Sequence, residues 1–542
     1  MAAATTYEVT SLDRPGPPSP EASGARAARR LDRRQRLAVL APAVLMLVVG
    51  FVGLDRHSMW RDEAASLVAA RRTSGELVTL LAHADTVHAL YYTLLHGWLS
   101  LLPGSGVVWA RVPSVLAMAV AVGLVGVVAA RLASVGVGVL AGLLLVVNPA
   151  TSFYAQEARS PALVTATALL AAWCLLNAVR RTRRARTWWV AYGLACAVLV
   201  ALNLLAVLVP LALAVTLVVW RRPRRALRLW ARATAPAVLV VVALVAVVHR
   251  QQPQIGWIPS PGLGSLRDLA HLVLGGSVPA VLLAAPLVLV GALPRSRPGR
   301  FGWSGGPSRA GLQALALPLL VLPPATLLLA SLVSPVFVPR YVVPSAAGAA
   351  LLAGVGVARL ARLVADRVAG SRPQGSDRGP ATARRVVVLV AAALLVLLTV
   401  ADLGAQRLER TPLSRPDDLE GVAAAVAAGA RPGDALLFLP DNRRLVAEVY
   451  PGSFAALDDV ALADGPEATG TLTGRAYPLD RVLTRLGSAS RVWVVGRPAL
   501  RLNPAETTSR AELALLDRDF VRTAAPSVHG FAVVLFLRRG TV

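Results

Sequence analysis

The stretch LAVLAPAVLMLVVGFVGL, residues 37–54, is long and apolar enough to cross a bilayer as a helix. It is followed almost at once by Trp60-Arg61-Asp62-Glu63, which places two adjacent acids where the chain has just left the membrane. Acids are scarce around this point, because residues 1–403 hold 14 Asp and Glu against 39 Arg. Ionisable groups close to a bilayer are costly, so this pair indicates a functional site at a membrane face.

The composition places the chain in the class of polytopic α-helical membrane proteins. Its 542 residues are 55% apolar, with a mean hydropathy of +0.59 and several charge-free runs of membrane-crossing length. The net charge of +26 does not indicate nucleic-acid binding, because the arginines lie in short blocks between apolar runs. Cys174 and Cys196 both lie inside apolar runs, so no disulfide framework is implied.

Eleven membrane spans are predicted from the apolar runs. The longest charge-free run, 188–220, is split into two spans near Asn203, since a single span would put two Arg blocks on opposite faces. The predicted spans are 37–54, 112–131, 134–149, 161–179, 188–203, 204–220, 233–249, 276–293, 312–334, 341–360 and 386–403.

The distribution of arginine predicts the orientation. With eleven spans, 30 of the 39 Arg residues before residue 404 fall on one side of the membrane. By the positive-inside rule this side is cytoplasmic, so we expect a multi-pass protein of the cell membrane with its N-terminus inside. Residues 1–36 are polar and Arg-rich and are predicted to form a disordered cytoplasmic tail ahead of the membrane domain, 37–403.

The composition changes after residue 403. Residues 404–542 carry 17 Arg and 16 acids, which is nearly neutral and typical of a soluble segment. Short apolar runs at 435–439, 491–496 and 531–537 predict buried strands, and a helix is predicted at 419–430. We therefore expect a small, independently folded, extracytoplasmic α/β domain. It shows no acid–base constellation of its own.

The first external loop, residues 55–111, is the candidate catalytic segment. It contains five of the scarce acids, Asp55, Asp62, Glu63, Glu76 and Asp85. Residues 90–102 are apolar with aromatics and are expected to lie along the interface. The alternative is an ordinary amphipathic loop with solvated charges.

Two further external segments carry arginine against the charge bias. Arg159 lies just before a span, and its expected partner is either Glu157 or an anionic lipid phosphate. Arg340 lies at the outer mouth of span ten beside Tyr341. The alternative for Arg159 is a local ion pair, and the alternative for Arg340 is a snorkelling residue at the interface. Arg111, at the start of the second span, is as consistent with an interface anchor as with a site residue.

Five motifs occur in the order typical of one known family. Trp60-Arg61-Asp62-Glu63-Ala64 resembles the first-loop acidic motif of GT-C glycosyltransferases, which use polyprenyl-phosphate sugars as donors. The other four similar motifs are Asp85-Thr86-Val87-His88-Ala89-Leu90-Tyr91-Tyr92, Arg111-Val112-Pro113-Ser114, Gln156-Glu157-Ala158-Arg159 and Phe337-Val338-Pro339-Arg340-Tyr341. Each motif alone is loose, but five in the same order over residues 37–360 are fairly specific.

The resemblance implies an inverting hexosyltransferase, similar to protein O-mannosyltransferases and aminoarabinose transferases. It would move mannose or another hexose from a polyprenyl-phosphate donor to an extracytoplasmic hydroxyl of a glycan, lipid or protein. The expected catalytic residues are Asp62 and Glu63. The expected donor-binding residues are Arg159, Glu157, Arg340, His88, Tyr91, Tyr341 and Asp85.

The chemistry of these side chains fits that reaction independently. Asp62 is the expected base for the acceptor hydroxyl, and Arg159 and Arg340 suit the departing phosphate. Glu63 is expected to pair with Arg61, Arg159 or a donor hydroxyl. The sequence points to no certain cofactor and leaves open a divalent cation bound by Asp62 and Glu63.

Two rival classes of function remain at this point. A lipid or polysaccharide transporter or flippase would place charges at mid-span, whereas here they gather at one face. A non-catalytic assembly subunit of the cell envelope would use the α/β domain for docking.

Overall fold

The structure is a computed structural model that describes residues 33–102, 106–180, 183–250, 258–294, 309–370, 379–523 and 526–540. Most of the predicted N-terminal tail lies outside the described residues. The first helix begins at Arg33, so the last four residues of the predicted tail are helical.

Sixteen helices precede the C-terminal region in the described part of the chain. Helices α1 to α8 span Arg33–Phe51, Arg61–Arg71, Ser74–His83, Ala89–Ser100, Val107–Leu132, Val135–Val147, Pro149–Ala155 and Pro161–Ala178. Helices α9 to α16 span Ala185–Leu202, Leu208–Val219, Arg224–Arg250, Leu263–Leu274, Val278–Ala292, Arg309–Ala330, Pro344–Gly370 and Gly379–Leu408.

The chain is a multi-pass helical membrane protein. Within the described residues, eight helices are long and apolar enough to cross a membrane, and two bent pairs, α6 with α7 and α12 with α13, raise the number to ten. The short apolar helix α10 follows a break after Leu202. A helix therefore lies in each of the eleven predicted spans. The predicted helix break near Asn203 is confirmed, although the helix after it is not among the ten candidate spans in the described residues. Asn203 caps the next turn, because its Oδ1 accepts from the backbone N–H of Leu205 (2.9 Å).

The bend between α6 and α7 positions part of the candidate site. The two helices meet at 70°, since Asn148 accepts the N–H of Ala150 (2.9 Å) and Pro149 starts the new helix. The next turn contains Glu157 and Arg159, so the bend delivers both residues to the end of the helix bundle where the first loop lies.

Helix α15 runs through the middle of the bundle. A Cβ at its Gly356 would lie 1.9 Å from the carbonyl oxygen of Leu287 on α13. Only glycine allows this close approach, which is the kind of packing that small residues provide between membrane helices.

The first loop folds into three short helices, α2, α3 and α4. Helix α3 starts with a capping box in which Thr73 and Glu76 exchange side-chain and backbone hydrogen bonds. Helix α4 has 12 residues, or about 18 Å at ~1.5 Å per residue, which is too short to cross a bilayer.

The C-terminal region forms the predicted α/β unit. Its helices α17 to α22 span Leu419–Ala427, Leu445–Val449, Pro451–Phe454, Pro466–Thr469, Leu479–Ser488 and Thr507–Asp519. Its strands β1 to β8 span Ala435–Leu439, Asp458–Asp459, Leu462–Asp464, Arg475–Ala476, Arg491–Gly496, Phe520–Arg522, Ser527–Val528 and Phe531–Arg538. The main sheet has the order β2-β1-β5-β8-β6, with β1 parallel to β5 and β8 antiparallel to β5.

One apolar core joins the C-terminal domain to the first loop. Trp60 and Leu67 of the first loop belong to the same buried cluster as Leu419, Val446 and Phe438 of the C-terminal domain. The other side of the sheet has a core of its own, which contains Leu437, Val494 and Phe536. The domain is therefore docked through an apolar face.

Candidate active site

Asp62, the second residue of α2, lies between two guanidinium groups. Its Oδ2 is 2.5 Å from Nη1 of Arg340 and 3.8 Å from Nη2 of Arg159. The side chain is 30% exposed. Burial alone would raise the pKa of the Asp62 carboxyl, but Arg159 and Arg340 hold it below its ordinary value. The site therefore presents an ionised, reachable carboxylate flanked by two cations.

Arg159 is held on one side by α2 and on the other by His88. Its Nη1 donates to the backbone oxygen of Asp62 (3.2 Å) and to Oγ of Ser66 (3.3 Å). Its Nη2 lies 3.3 Å from Nε2 of His88. A guanidinium has only donors, so His88 Nε2 accepts and carries no proton. Burial, together with Arg159, lowers the pKa of His88 well below its usual value, which keeps the ring neutral. The partner of Arg159 is thus Asp62, and no ion pair joins it to Glu157 within the described residues.

Arg340 reaches Asp62 from a 3-10 turn, Pro339–Val342, between α14 and α15. Its guanidinium carbon lies 5.7 Å from the ring centre of Tyr341 and 6.0 Å from that of Trp60, distances at which a cation is attracted to a ring. Before the turn, Ser331 Oγ accepts the backbone N–H groups of Val336 and Phe337. These contacts fix the turn at the membrane face.

A second acid, Asp85, lies in the wall formed by α4 and the turn before it. Its φ of +55° is left-handed, and its Oδ2 accepts from the hydroxyl of Tyr92 (2.9 Å). Burial raises the pKa of the Asp85 carboxyl. The Tyr92 ring lies 5.7 Å from that of His88, and Tyr91 is buried beside it. Tyr92 is absent from the expected site residues, although it ends the quoted motif and holds Asp85 in place.

Glu63 points away from this group and is fully buried. Its two carboxylate oxygens accept from Nε and Nη2 of Arg111 (2.9 and 3.0 Å), and Oε1 also accepts the N–H of Ala158 (2.8 Å). The remaining donors of Arg111 bind the backbone oxygens of Leu54, His57 and Ser58. Glu63 and Arg111 thus form a saturated link between α2, α5 and the turn that carries Arg159.

This link corrects the expected pairing of Glu63 and decides between the two interpretations left open for Arg111. Glu63 pairs with neither Arg61 nor Arg159, because adjacent helical residues point about 100° apart and Arg61 binds Asp417 (2.5 Å). Arg111 is 1% exposed and is not an interface anchor, since its guanidinium donates inward to Glu63.

Solved structures resemble the fold of this protein over nearly the whole chain. Neither a protein-family model nor a curated protein matches the chain. The apo structure of ArnT from Cupriavidus metallidurans aligns with a TM-score of 0.57 at 18% identity, over 92% of this chain and 97% of that one. The same protein bound to undecaprenyl phosphate aligns with a TM-score of 0.55 at 19% identity, with the same coverage. The Archaeoglobus fulgidus oligosaccharyltransferase in complex with Zn and sulfate aligns with a TM-score of 0.51 at 11% identity, over 91% of this chain and 73% of that one. These neighbours are GT-C glycosyltransferases.

The chain has the GT-C glycosyltransferase fold. Asp62, Arg159, Arg340 and His88 form one connected group beside the first loop, and Asp85 adjoins it through Tyr92, whose ring lies next to that of His88. Tyr91 and Tyr341 line it. Glu63 and Glu157 lie behind it.

A divalent cation between Asp62 and Glu63 does not fit this site. Both oxygens of Glu63 are occupied by Arg111, and Asp62 is flanked by two arginines, whose positive charge opposes a metal ion. Within the part of the chain that the structure describes, no group of three His, Cys, Asp or Glu side chains could hold a metal.

Behind this site, Glu157 faces two charged residues, Arg415 and Glu409, that were not among the expected site residues. Arg415 is stacked 3.8 Å above the Phe153 ring, and its Nη1 is 3.7 Å from Oε2 of Glu409. Glu157 faces the same arginine, and its Oε2 has no hydrogen-bond partner among the described residues. Burial raises the pKa of Glu157 and of Glu409 to about 7 each. Both carboxyl groups are therefore partly protonated near neutral pH.

Proposed function

We propose that this protein is a membrane glycosyltransferase that moves a sugar from a polyprenyl-phosphate donor to an acceptor hydroxyl. The observation that carries the proposal is the partly exposed Asp62 carboxylate between Arg159 and Arg340. A base beside two phosphate-binding cations is what this transfer requires. The undecaprenyl phosphate bound by ArnT, a protein of the same fold, supports a polyprenyl-phosphate donor.

The transfer is one displacement with inversion at the anomeric carbon. The acceptor oxygen forms a bond to that carbon while the bond from carbon to the phosphate oxygen breaks. The acceptor proton passes to Asp62, and the electron pair leaves with the polyprenyl phosphate. Arg159 and Arg340 stabilise the charge that develops on that phosphate. His88 and Asp85 shape the wall beside it, and the lipid tail lies among the membrane helices.

The finer assignments rest on the family resemblance and the charge pattern. We assign mannose or another hexose as the sugar and a glycan, lipid or protein as the acceptor. The N-terminus is assigned to the cytoplasm of a cell-membrane protein, with the site and the C-terminal domain outside. Glu63 is a positioning residue in this proposal, and Asp62 is the catalytic residue.

The proposal is tested in a deletion strain by mass spectrometry of lipid extracts and surface glycans. Loss of the protein should cause a polyprenyl-phosphate sugar to accumulate or a glycan to disappear. Wild-type protein and an Asp55→Asn control, which changes an exposed acid of the same loop, should restore the pattern. Asp62→Asn should not. Full restoration by Asp62→Asn would favour the transporter or assembly-subunit alternatives.

A further inference from the structure

Helix α2 carries Asp62 in a first turn that its own sequence leaves uncapped. The residue before the helix, Trp60, makes no side-chain hydrogen bond to the backbone. The N–H of Arg61 donates instead to Oδ1 of Asp417 (3.0 Å), 356 residues further along the chain. A carboxylate at this position satisfies an orphan donor and is favoured by the helix dipole. The C-terminal domain therefore caps the helix that carries the proposed base.

The same carboxylate is the centre of a buried ionic group. Asp417 Oδ2 lies 2.5 Å from Nε of Arg61 and 3.4 Å from Nη1 of Arg443. Asp417 is 1% exposed, and Arg443 is stacked 4.8 Å from the ring centre of Phe531 on β8. Arg61, adjacent to Asp62, is thus fixed in both its backbone and its side chain.

Two further hydrogen bonds, both donated by backbone N–H groups of the C-terminal domain, extend this contact. The N–H of Leu419 donates to the oxygen of Met59 (3.2 Å), and the N–H of Glu420 donates to Oγ of Ser58 (3.0 Å). Gly530, with φ of +76°, presses against the other side, where a Cβ would lie 2.5 Å from that of Asp417. Asp417 therefore has little room to move.

The far end of α2 is also held by the C-terminal domain. Arg72, the C-cap residue of α2, is buried and donates through Nη2 to the backbone oxygen of Thr471. Between the two ends, Val446 of α18 belongs to the same buried cluster as Leu67 of α2. Both ends and one face of the helix thus depend on residues beyond 415.

We propose that Asp417 is a positioning residue that holds Asp62 in its reactive orientation, so that the C-terminal domain takes part in transfer without touching the substrate. This inference rests on the proposed function, because it assumes that Asp62 is the base. A displacement of about 1 Å at a reacting group can cost on the order of 100-fold in rate. Loss of the Asp417 contacts frees the turn that bears Asp62, whereas loss of an unrelated buried pair in the same domain does not.

The structural part is tested by hydrogen–deuterium exchange on the full-length protein in detergent. Asp417→Asn keeps the side-chain shape and removes the charge. It should speed exchange in peptides that cover residues 61–66 by at least about tenfold, since local opening sets this rate. The matched control is Asp434→Asn, because Asp434 is also buried and binds Arg491 and Trp493 within the C-terminal domain. The control should leave exchange in α2 unchanged. Unchanged exchange in Asp417→Asn, or equal changes in both variants, would overturn the inference.

The functional part separates positioning from general destabilisation. Asp417→Asn should lower kcat by about tenfold or more, with little change in the binding of undecaprenyl phosphate, which serves as the probe of the donor site. Asp417→Glu, which keeps the charge, should recover part of the rate, and Asp434→Asn should keep it. A normal kcat in Asp417→Asn would contradict the inference. If Asp62→Asn itself retains turnover, the proposed function fails, while the exchange experiment still reports whether Asp417 holds α2.

Discussion

Nη1 of Arg340 lies 2.5 Å from Oδ2 of Asp62, although 278 residues separate the two in the sequence. This ion pair joins the turn before α15 to the first turn of α2. Nη2 of Arg159 lies 3.8 Å from the same carboxylate oxygen. Because the two arginines outweigh burial in setting its pKa, Asp62 is ionised at neutral pH and can accept a proton.

The adjacent acids should respond differently to loss of charge. Asp62→Asn should fold normally, bind undecaprenyl phosphate and transfer sugar about 10²- to 10⁴-fold more slowly, since it removes the base. Glu63→Gln should mainly lower stability, because breaking a buried pair typically costs about 3–5 kcal/mol. Thermal melts beside turnover assays separate the two effects. Normal melting with no turnover in Glu63→Gln, and normal turnover in Asp62→Asn, would reverse the assignment of the base.

The two arginines should contribute separately to donor binding. Arg159→Ala and Arg340→Ala should each lose about 1.5–3 kcal/mol of binding or transition-state stabilisation, the usual value of a charge-assisted hydrogen bond. Arg159→Lys should recover only part of this, since an ammonium cannot bind bidentately. Titration with undecaprenyl phosphate and turnover measurements provide the numbers. Unchanged affinity and rate in both alanine variants would leave these residues with a structural role.

Stability should fall as the pH rises from about 4.5 to 7. The folded protein raises the pKa of Glu157 and Glu409 from 4.5 to about 7 through burial, so it binds their protons more tightly than the unfolded chain does. Their contribution is complete below pH 4.5 and is lost as the pH passes about 7. Melting temperatures between pH 4.5 and 8 should show this slope, and Glu157→Gln should flatten it. The exposed Glu420→Gln should not change it.

The orientation of the protein in the membrane can be tested by cysteine labelling, because the native Cys174 and Cys196 are buried and should contribute little background labelling. Arg183→Cys lies in an Arg block assigned to the cytoplasm, whereas Ser488→Cys lies in the C-terminal domain; both positions are exposed. An impermeant maleimide added to intact cells should label position 488 and spare position 183. Labelling of position 183 from outside would contradict the eleven-span orientation.

The C-terminal domain alone should fold less stably than it does in the whole protein. A fragment from residue 412 keeps the core around Leu437 and Phe536, but exposes Leu419 and Val446, which face the first loop. We expect a cooperative melt at reduced temperature, with binding of a hydrophobic dye. If the fragment melts at the same temperature as the C-terminal domain in the full-length protein, docking against the first loop adds no stability.

Local properties of the sequence were enough to predict the spans and the three longest strands, but not the five short ones. Charge-free length determines whether a segment can cross a bilayer, so the division near Asn203 followed from the Arg blocks on either side of 188–220. The strand at 491–496 could be predicted in the same way, because helix and turn signals flank a short apolar run there. Such signals depend on neighbours in the sequence and not on the tertiary fold.

Side-chain pairing was harder to predict, because it depends on which turns meet. Charge bias identified Arg159 and Arg340 but could not reveal that both face Asp62. The same bias gave no reason to examine Arg415 or Asp417, since the region after residue 403 is balanced in charge. For Arg111 the sequence did hold a usable signal. An arginine beside a span can be satisfied by a buried counter-ion as well as by the membrane interface, and Glu63 is that counter-ion.

The apolar face that α2 shares with residues 419–449 has a consequence for biogenesis. The ribosome makes the first loop about 350 residues before its packing partner, which at ~5–20 residues per second is a delay of roughly 20 to 70 s. During this interval the part of its apolar core that residues 419–449 provide is still unsynthesised. We expect Trp60 and Leu67 to need cover from a chaperone or the lipid surface meanwhile, and a chain that stops before residue 449 to remain sensitive to proteases at that face.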